Sequence, residues 1–240
     1  MRRFWTTATL DSTNAGHAVL LDGKPLRIPG RDKGGAPLSI PTLALAEAIT
    51  AEWQAAGGVK DGEMSMEDVP LTRLAGTAQD RILPNPAAVA AALAEYGESD
   101  LLCYRAEHPE ELVQRQARLW QPWLDWAART HGARLQVAAG VMHVRQDTAA
   151  LRAIQAAYAR QPVPVLAALG IAVPAMGSAV LGLALADGAL DAVTAHDVAG
   201  LDETFQVEKW GEDSESTVRR QRMADDIALA EQFIRLSRLN

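Results

Sequence analysis

Ile82-Leu83-Pro84-Asn85-Pro86 divides this chain into two parts with different patterns, and that division decides the fold class. Two prolines around an asparagine stop a helix and push the backbone into an extended turn. Upstream, residues 4–10, 16–21 and 24–29 are rich in Thr, Val and aromatic residues, a composition that predicts short strands. Asp22-Gly23, between Val19-Leu-Leu21 and Pro25-Leu-Arg-Ile28, is the signal of a two-residue hairpin. Asn14-Ala-Gly16 marks a second turn, and Gly30 to Gly35 a loop. Pro41-Thr42 then opens a predicted helix with Thr42 as its N-cap. Leu45, Ile49 and Trp53 recur every four residues along it, and Gly57-Gly58 ends it. Ser65-Met-Glu-Asp68 has the form of a capping box before another helix, whose inner face is Leu71, Leu74, Ala75, Ala78 and Ile82. Arg73, Thr77, Asp80 and Arg81 fall on its other side, where surface ion pairs are the simplest reading.

Downstream of the proline break almost every segment reads as helix: 87–96, 109–130, 148–160, 175–187, 191–210 and 213–238. In the last, Met223, Ile227, Ala230 and Ile234 repeat at amphipathic spacing. The expected fold is therefore α+β, with an N-terminal α+β domain over 1–85 and a mainly helical domain over 86–240.

Composition narrows the function classes. The chain has 240 residues, 48% of them hydrophobic, enough to bury a core. Its net charge is −7, which disfavours nucleic acid or an anionic membrane as the main partner, since both need a basic field. A single cysteine, Cys103, excludes an internal disulfide and any multi-cysteine zinc site. The N-terminus starts basic but has no apolar run of the secretory type. The most apolar stretch, 163–190, is interrupted by Pro164 and Pro174. Its longest proline-free piece, Ala175 to Ala186, is too short to cross a bilayer and predicts a buried helix.

No catalytic set emerges. His17, His108, His131, His143 and His196 show no ligand spacing, so no metal is expected. There is no Gly-x-Ser-x-Gly elbow, and Gly30-Arg-Asp-Lys-Gly34 matches neither phosphate-loop pattern. Ser178 reads as an N-cap, and Cys103 as a buried small hydrophobe. Asp100 and Arg105 bracket Cys103 and are placed to form an ion pair. In the 109–130 helix, Leu112, Leu119, Trp123 and Trp126 step along one face, with Trp120 to the side and Pro122 expected to kink or split the helix. Three Trp in seven residues form either a core seam or an anchor patch, and the core reading is favoured.

What remains is Leu201-Asp-Glu-Thr-Phe-Gln-Val-Glu-Lys-Trp-Gly-Glu-Asp-Ser-Glu215, which crowds acids around Trp210-Gly211. Such a cluster is either a helix junction or a surface that meets basic groups. A binding or assembly role is the default, and a hydrolase or transferase with an inter-domain cleft is the alternative.

These pieces together resemble a known family, the assembly chaperones of the F-type ATP synthase catalytic sector that bind its alpha subunit. The matching segments are Asp22-Gly-Lys-Pro-Leu-Arg27, Pro41 to Ile49 with Glu52-Trp53, and Pro70-Leu-Thr-Arg-Leu-Ala75 with Asp80-Arg81. They continue with Asp100-Leu-Leu-Cys-Tyr-Arg-Ala106, Arg115-Gln116, Trp120, Leu124-Asp-Trp126, Gly177-Ser178, Leu201-Asp-Glu203, and Trp210-Gly-Glu-Asp213. Val69, Gln121 and Ile28 stand where the pattern has Met, Asp and Thr. The resemblance implies a chaperone without catalytic activity, nucleotide or metal. It would act as a monomer in a bacterial cytoplasm or mitochondrial matrix and hold the unassembled alpha subunit until beta arrives. Glu203, Glu208, Glu212, Asp213 and Glu215 would meet basic residues of alpha, with Trp210 as an apolar anchor. Otherwise Trp210 packs inward, Gly211 caps one helix, and Asp213 or Ser214 caps the next. A permanent subunit of the finished complex is a third reading.

Overall fold

Asp22 and Gly23 both take positive φ (47° and 77°) in the computed structural model, which describes residues 1–13, 16–28 and 35–239. Leu21 pairs with Lys24 across them, so this is the two-residue hairpin whose left-handed positions suit Gly and Asp. The Asp22 carboxylate also accepts the N–H groups of Thr6 and Thr7, which fastens the preceding strand entry. Those bonds hold its carboxyl below the usual range. Asn14 and Ala15 of the expected turn, Pro29 of the expected third strand and residues 30–34 of the expected loop lie outside the described residues.

The chain is α+β and forms two compact units. The first comprises Met1–Asn85, Val163–Ala168 and Gln232–Asn240; the second comprises Pro86–Pro162 and Leu169–Glu231. In the first unit, β1 (Ala8–Thr13), β2 (Gly16–Leu21) and β3 (Lys24–Pro25) make an antiparallel sheet in that order. β4 (Arg27–Ile28) pairs with β5 (Ala36–Pro37). The first strand starts later than its composition predicts: Phe4 to Thr7 are not in the sheet, because Arg3 and Trp5 turn inward instead.

Arg3 is buried and donates to five backbone carbonyls, those of Trp5, Thr6, Gln54, Ala56 and Gly58. Three of these lie at or beyond the end of α1 (Leu43–Ala55), so the guanidinium caps that helix with a full positive charge. Trp5 packs with its ring centroid 4.9 Å from that of Trp53, tilted by 58°, and donates to its carbonyl. Trp53 in turn donates to Thr72 Oγ1, and the Glu52 carboxylate accepts from Leu71 N and Thr72 N. α2 (Pro70–Thr77) has no capping side chain of its own; Glu52 of the neighbouring helix supplies it. Burial raises the Glu52 carboxyl despite those donors.

Several local expectations hold. Ser65 and Asp68 form the capping box, although over a 3₁₀ turn that precedes α2. Leu71, Leu74, Ala75, Ala78 and Ile82 are all buried, the last two in a π-helical turn. Thr42 sits at the N-cap of α1 but does not cap it. Its hydroxyl donates to Leu236 O, since it is buried beside the chain's last helical turn.

The second unit is built from helices: α3 (Pro86–Ala94), α4 (Glu110–His131), α5 (Thr148–Ala159), α7 (Ala179–Ala186), α8 (Ala192–Ala199) and α9 (Leu201–Trp210). α6 (Val163–Met176) belongs to it from Leu169 onward and α10 (Ser214–Leu236) as far as Glu231, with two parallel two-residue strands, β6 (Tyr104–Arg105) and β7 (Ala138–Ala139). α6 is not predicted by the sequence pattern. Pro164 sits in its first turn, where no N–H is needed, whereas Pro174 lies inside the helix and forgoes an N–H bond to the preceding turn, and the helix still runs on to Met176. Gly177 then ends it in the left-handed region, and Ser178 caps α7 by accepting from Leu181 N. The expected 191–210 helix is two helices, parted at Gly200.

Of the kink or split expected at Pro122, α4 shows no split: it runs continuously from Glu110 to His131. Its inner face is Gln116, Trp120, Leu124 and Ala127, not the Leu112–Trp126 stripe, and Leu119 is exposed. Trp120 is fully buried because its indole N–H reaches Val198 O at 2.8 Å, and the same spacing brings the polar Gln116 inward.

Candidate functional site: an acidic surface around Trp210

Four of the acids around Trp210 are already engaged within the second unit. α9 lies against the first half of α4 through Phe205, which is buried under two cations: Arg115 and Lys209 each lie 5.2 Å from its ring centroid. Arg115 bridges Glu208 at 2.7 Å and Glu111 at 2.8 Å, and Lys209 takes the other Glu111 oxygen at 2.7 Å. Lys209 holds the Glu111 carboxyl below its usual range, and Glu208 raises Arg115. Glu203 accepts from Arg219 at 3.1 Å, and Glu212 lies 3.7 Å from Arg220. Asp213 caps α10 by accepting from Ser216 N at 2.8 Å, which lowers its carboxyl. Among the described residues Glu215 makes no ion pair and is exposed.

Trp210 itself points out. It is 78% exposed, at the last position of α9, and Gly211 follows at φ 88° as the C-cap. The inward packing considered for Trp210 is excluded, whereas the capping roles of Gly211 and Asp213 hold. The surface is therefore apolar at one point and acidic around it. Its geometry is fixed by α4, α9 and the start of α10.

One part of this surface had no separate signal in the sequence. Glu110 and Glu111 occupy the first turn of α4, where acids match the helix dipole. Tertiary packing also makes Glu111 the shared acceptor of α4 and α9, so the acidic face extends across both helices. Beside it lies an open cavity of about 480 Å³ lined by Tyr104, Arg105, Glu107, Gln116, Val141 and Asp202. Burial raises the Asp202 carboxyl, and Gln116 Nε2 donates to it at 2.8 Å.

The remaining motif residues build the interior. Asp100 is completely buried and accepts from Ser178 Oγ at 2.8 Å, Val180 N at 3.0 Å and Leu102 N at 3.1 Å. Burial outweighs these donors and pushes its carboxyl up to about 6. Asp100 makes no ion pair with Arg105, contrary to the sequence reading. Its lone pairs are taken by Ser178, Val180 and Leu102, and Arg105 donates to the carbonyls of Leu102 and Gln116. Cys103 is buried, and its thiol is pushed up to about 12, which leaves it inert. No group of three metal-binding side chains occurs among the described residues, and no described helix is long and apolar enough to cross a membrane.

Comparison with known proteins bears on the fold and the family. The family model of the ATP12 chaperone protein matches residues 2–128. The crystal structure of Atp12 from Paracoccus denitrificans superposes with a TM-score of 0.90 at 42% identity, covering 99% of this chain and 98% of that one. An Asp-to-Lys variant of the Paracoccus protein gives the same values. A protein of Agrobacterium tumefaciens described as a candidate chaperone matches with a TM-score of 0.88 at 38% identity, over 98% of this chain and 85% of that one. An interior organised by the ordered motifs, an acidic outer face and a shared fold along the whole length lead to one conclusion: the chain belongs to the ATP12 chaperone family, the F-type ATP synthase assembly chaperones that its motifs resemble.

Proposed function

We propose that this protein holds the unassembled alpha subunit of the ATP synthase catalytic sector and keeps it from aggregating until beta displaces it. The observation that carries this is Trp210, exposed on a helix end amid Glu203, Glu208, Glu212, Asp213 and Glu215. Leaving a Trp side chain in water forgoes about 3 kcal/mol of burial, which a partner contact recovers. An orphan ring subunit exposes a large apolar interface, and a holder that must later let go suits a partly polar contact rather than an obligate one. Glu208, Glu203 and Glu212 already face Arg115, Arg219 and Arg220, so basic groups of alpha would join or compete with those pairs. Glu215 has no such competitor. The holder works as a monomer, without enzymatic activity or cofactor, in the bacterial cytoplasm or the mitochondrial matrix.

The test is co-expression with alpha alone. Alpha is expected to become soluble in complex with this protein and to be released on addition of beta. A Glu208→Lys, Glu212→Lys, Glu215→Lys variant is expected to lose capture. Capture equal to wild type by that variant and by Trp210→Ser would remove the proposed surface. Co-purification with assembled ATP synthase would instead identify a permanent subunit.

A further inference from the structure

Val141 and Met142 are neighbours in sequence, and they are 95% and 79% exposed. Together with Trp210 they are the most exposed large apolar side chains among the described residues. The loop that carries them is held at both ends. β7 pairs with β6, Gly140 N donates to Arg105 O at 2.8 Å, and His143 Nδ1 meets the Tyr104 hydroxyl at 3.1 Å. His143 Nε2 lies 3.4 Å from Glu98 on its other side. A loop fastened this way presents its apolar tip at little ordering cost on binding.

The tip continues the face described above. The Val141 side of the loop and Asp202, in the first turn of α9, line the same 480 Å³ cavity. From Asp202, α9 runs eight residues on to Trp210, about 12 Å at 1.5 Å per residue. Between the two apolar ends lie exposed acids. Glu107 packs beside Gly140, and Glu110 and Glu111 open α4, with Glu111 tied to Lys209. Along α9 the order is the apolar tip beside Asp202, an acidic lane that also carries Arg115 and Lys209, then Trp210.

We propose that the Val141–Met142 loop is a second apolar anchor for the partner that Trp210 meets. The footprint is then two-ended, and it fits a surface with two apolar patches flanking basic residues. This rests on the reading of Trp210 as a partner contact. A second copy of the chain is the wrong occupant, because it would set one acidic lane against another in a molecule of net charge −7.

The experiment titrates four purified proteins against isolated alpha subunit: wild type, the double variant Val141→Ser with Met142→Ser, Trp210→Ser, and Val193→Ser as an exposed apolar control on α8. The loop variant is expected to bind about tenfold or more weaker, with an unchanged melting temperature, and Val193→Ser to bind as wild type. Wild-type affinity in the loop variant, with weakened binding by Trp210→Ser, overturns the loop anchor and leaves the Trp210 reading intact. Equal binding by all four removes both. A dimer of wild type that the loop variant loses in sedimentation would assign the loop to self-association and overturn the proposal.

Discussion

Trp120 and Trp210 sit in the same unit, ninety residues apart, and have opposite fates. Trp120 is sealed in, with its N–H on Val198 O; Trp210 stands in water at a helix end. The acids divide the same way. Asp100 is buried under three donors that belong to α7 and its own segment, whereas the exposed Glu208 and Glu212 pair with the half-buried Arg115 and Arg220. The second unit holds 20 of the chain's 30 acidic residues against 12 of its 23 basic ones, so its outer face carries the acid excess. A polar group that is fully used by its own backbone serves the fold. One whose partners are long, partly solvated side chains can exchange them.

Trp120→Ala tests the sealed half most severely. It removes a fully buried indole and orphans Val198 O, so a loss of about 3–5 kcal/mol is expected in urea unfolding. Asp100→Asn should cost about 1–3 kcal/mol, because the amide places a donor against the N–H of Val180 or Leu102. The same site gives a pH signature. Its folded-state value, about 6, lies above the ordinary 3.8, so the protonated form favours the fold. That contribution is complete below about pH 4 and is lost as pH rises through about 6. Wild type should therefore become less stable over that window relative to Asp100→Asn, as read by melting temperature across a pH series. An opposite slope would mean that the three donors outweigh burial.

Asp213→Ala is the intermediate case, an acid in the open half that nonetheless caps α10. A small drop in melting temperature is expected, less than that of Asp100→Asn. Trp210→Ser should give the smallest stability change, within about 0.5 kcal/mol, since it loses no buried contact. A large destabilisation there would break the comparison, because it would show that Trp210 supports the fold.

The strand-rich front, the Asp22-Gly23 hairpin, the Ser65 box and most helices were legible because they depend on near neighbours: turn chemistry, capping and period. Legibility failed where a distant partner overrode the local rule. Arg3 looked like part of a basic N-terminus, yet its five acceptors lie on Trp5, Thr6 and residues more than fifty positions away. Gln116 and Trp120 lay off the apolar stripe of α4, and only Ala106, Asp202 and Val198 explain why that face turns inward. α6 was hidden by its prolines, of which Pro164 occupies a tolerant first turn and Pro174 lies within the helix.

For the candidate site, the sequence by itself determined the acid density, the Trp-Gly pair, the helix ends and, through the ordered motifs, the family. The tertiary structure decided which acids are shared and which tryptophan is exposed. It also placed Glu111 and the Val141–Met142 loop beside the same helix. The physical reason is that composition and spacing set what a segment can bury, whereas exposure depends on which other segments arrive to cover it. Nothing in the second unit arrives to cover Trp210.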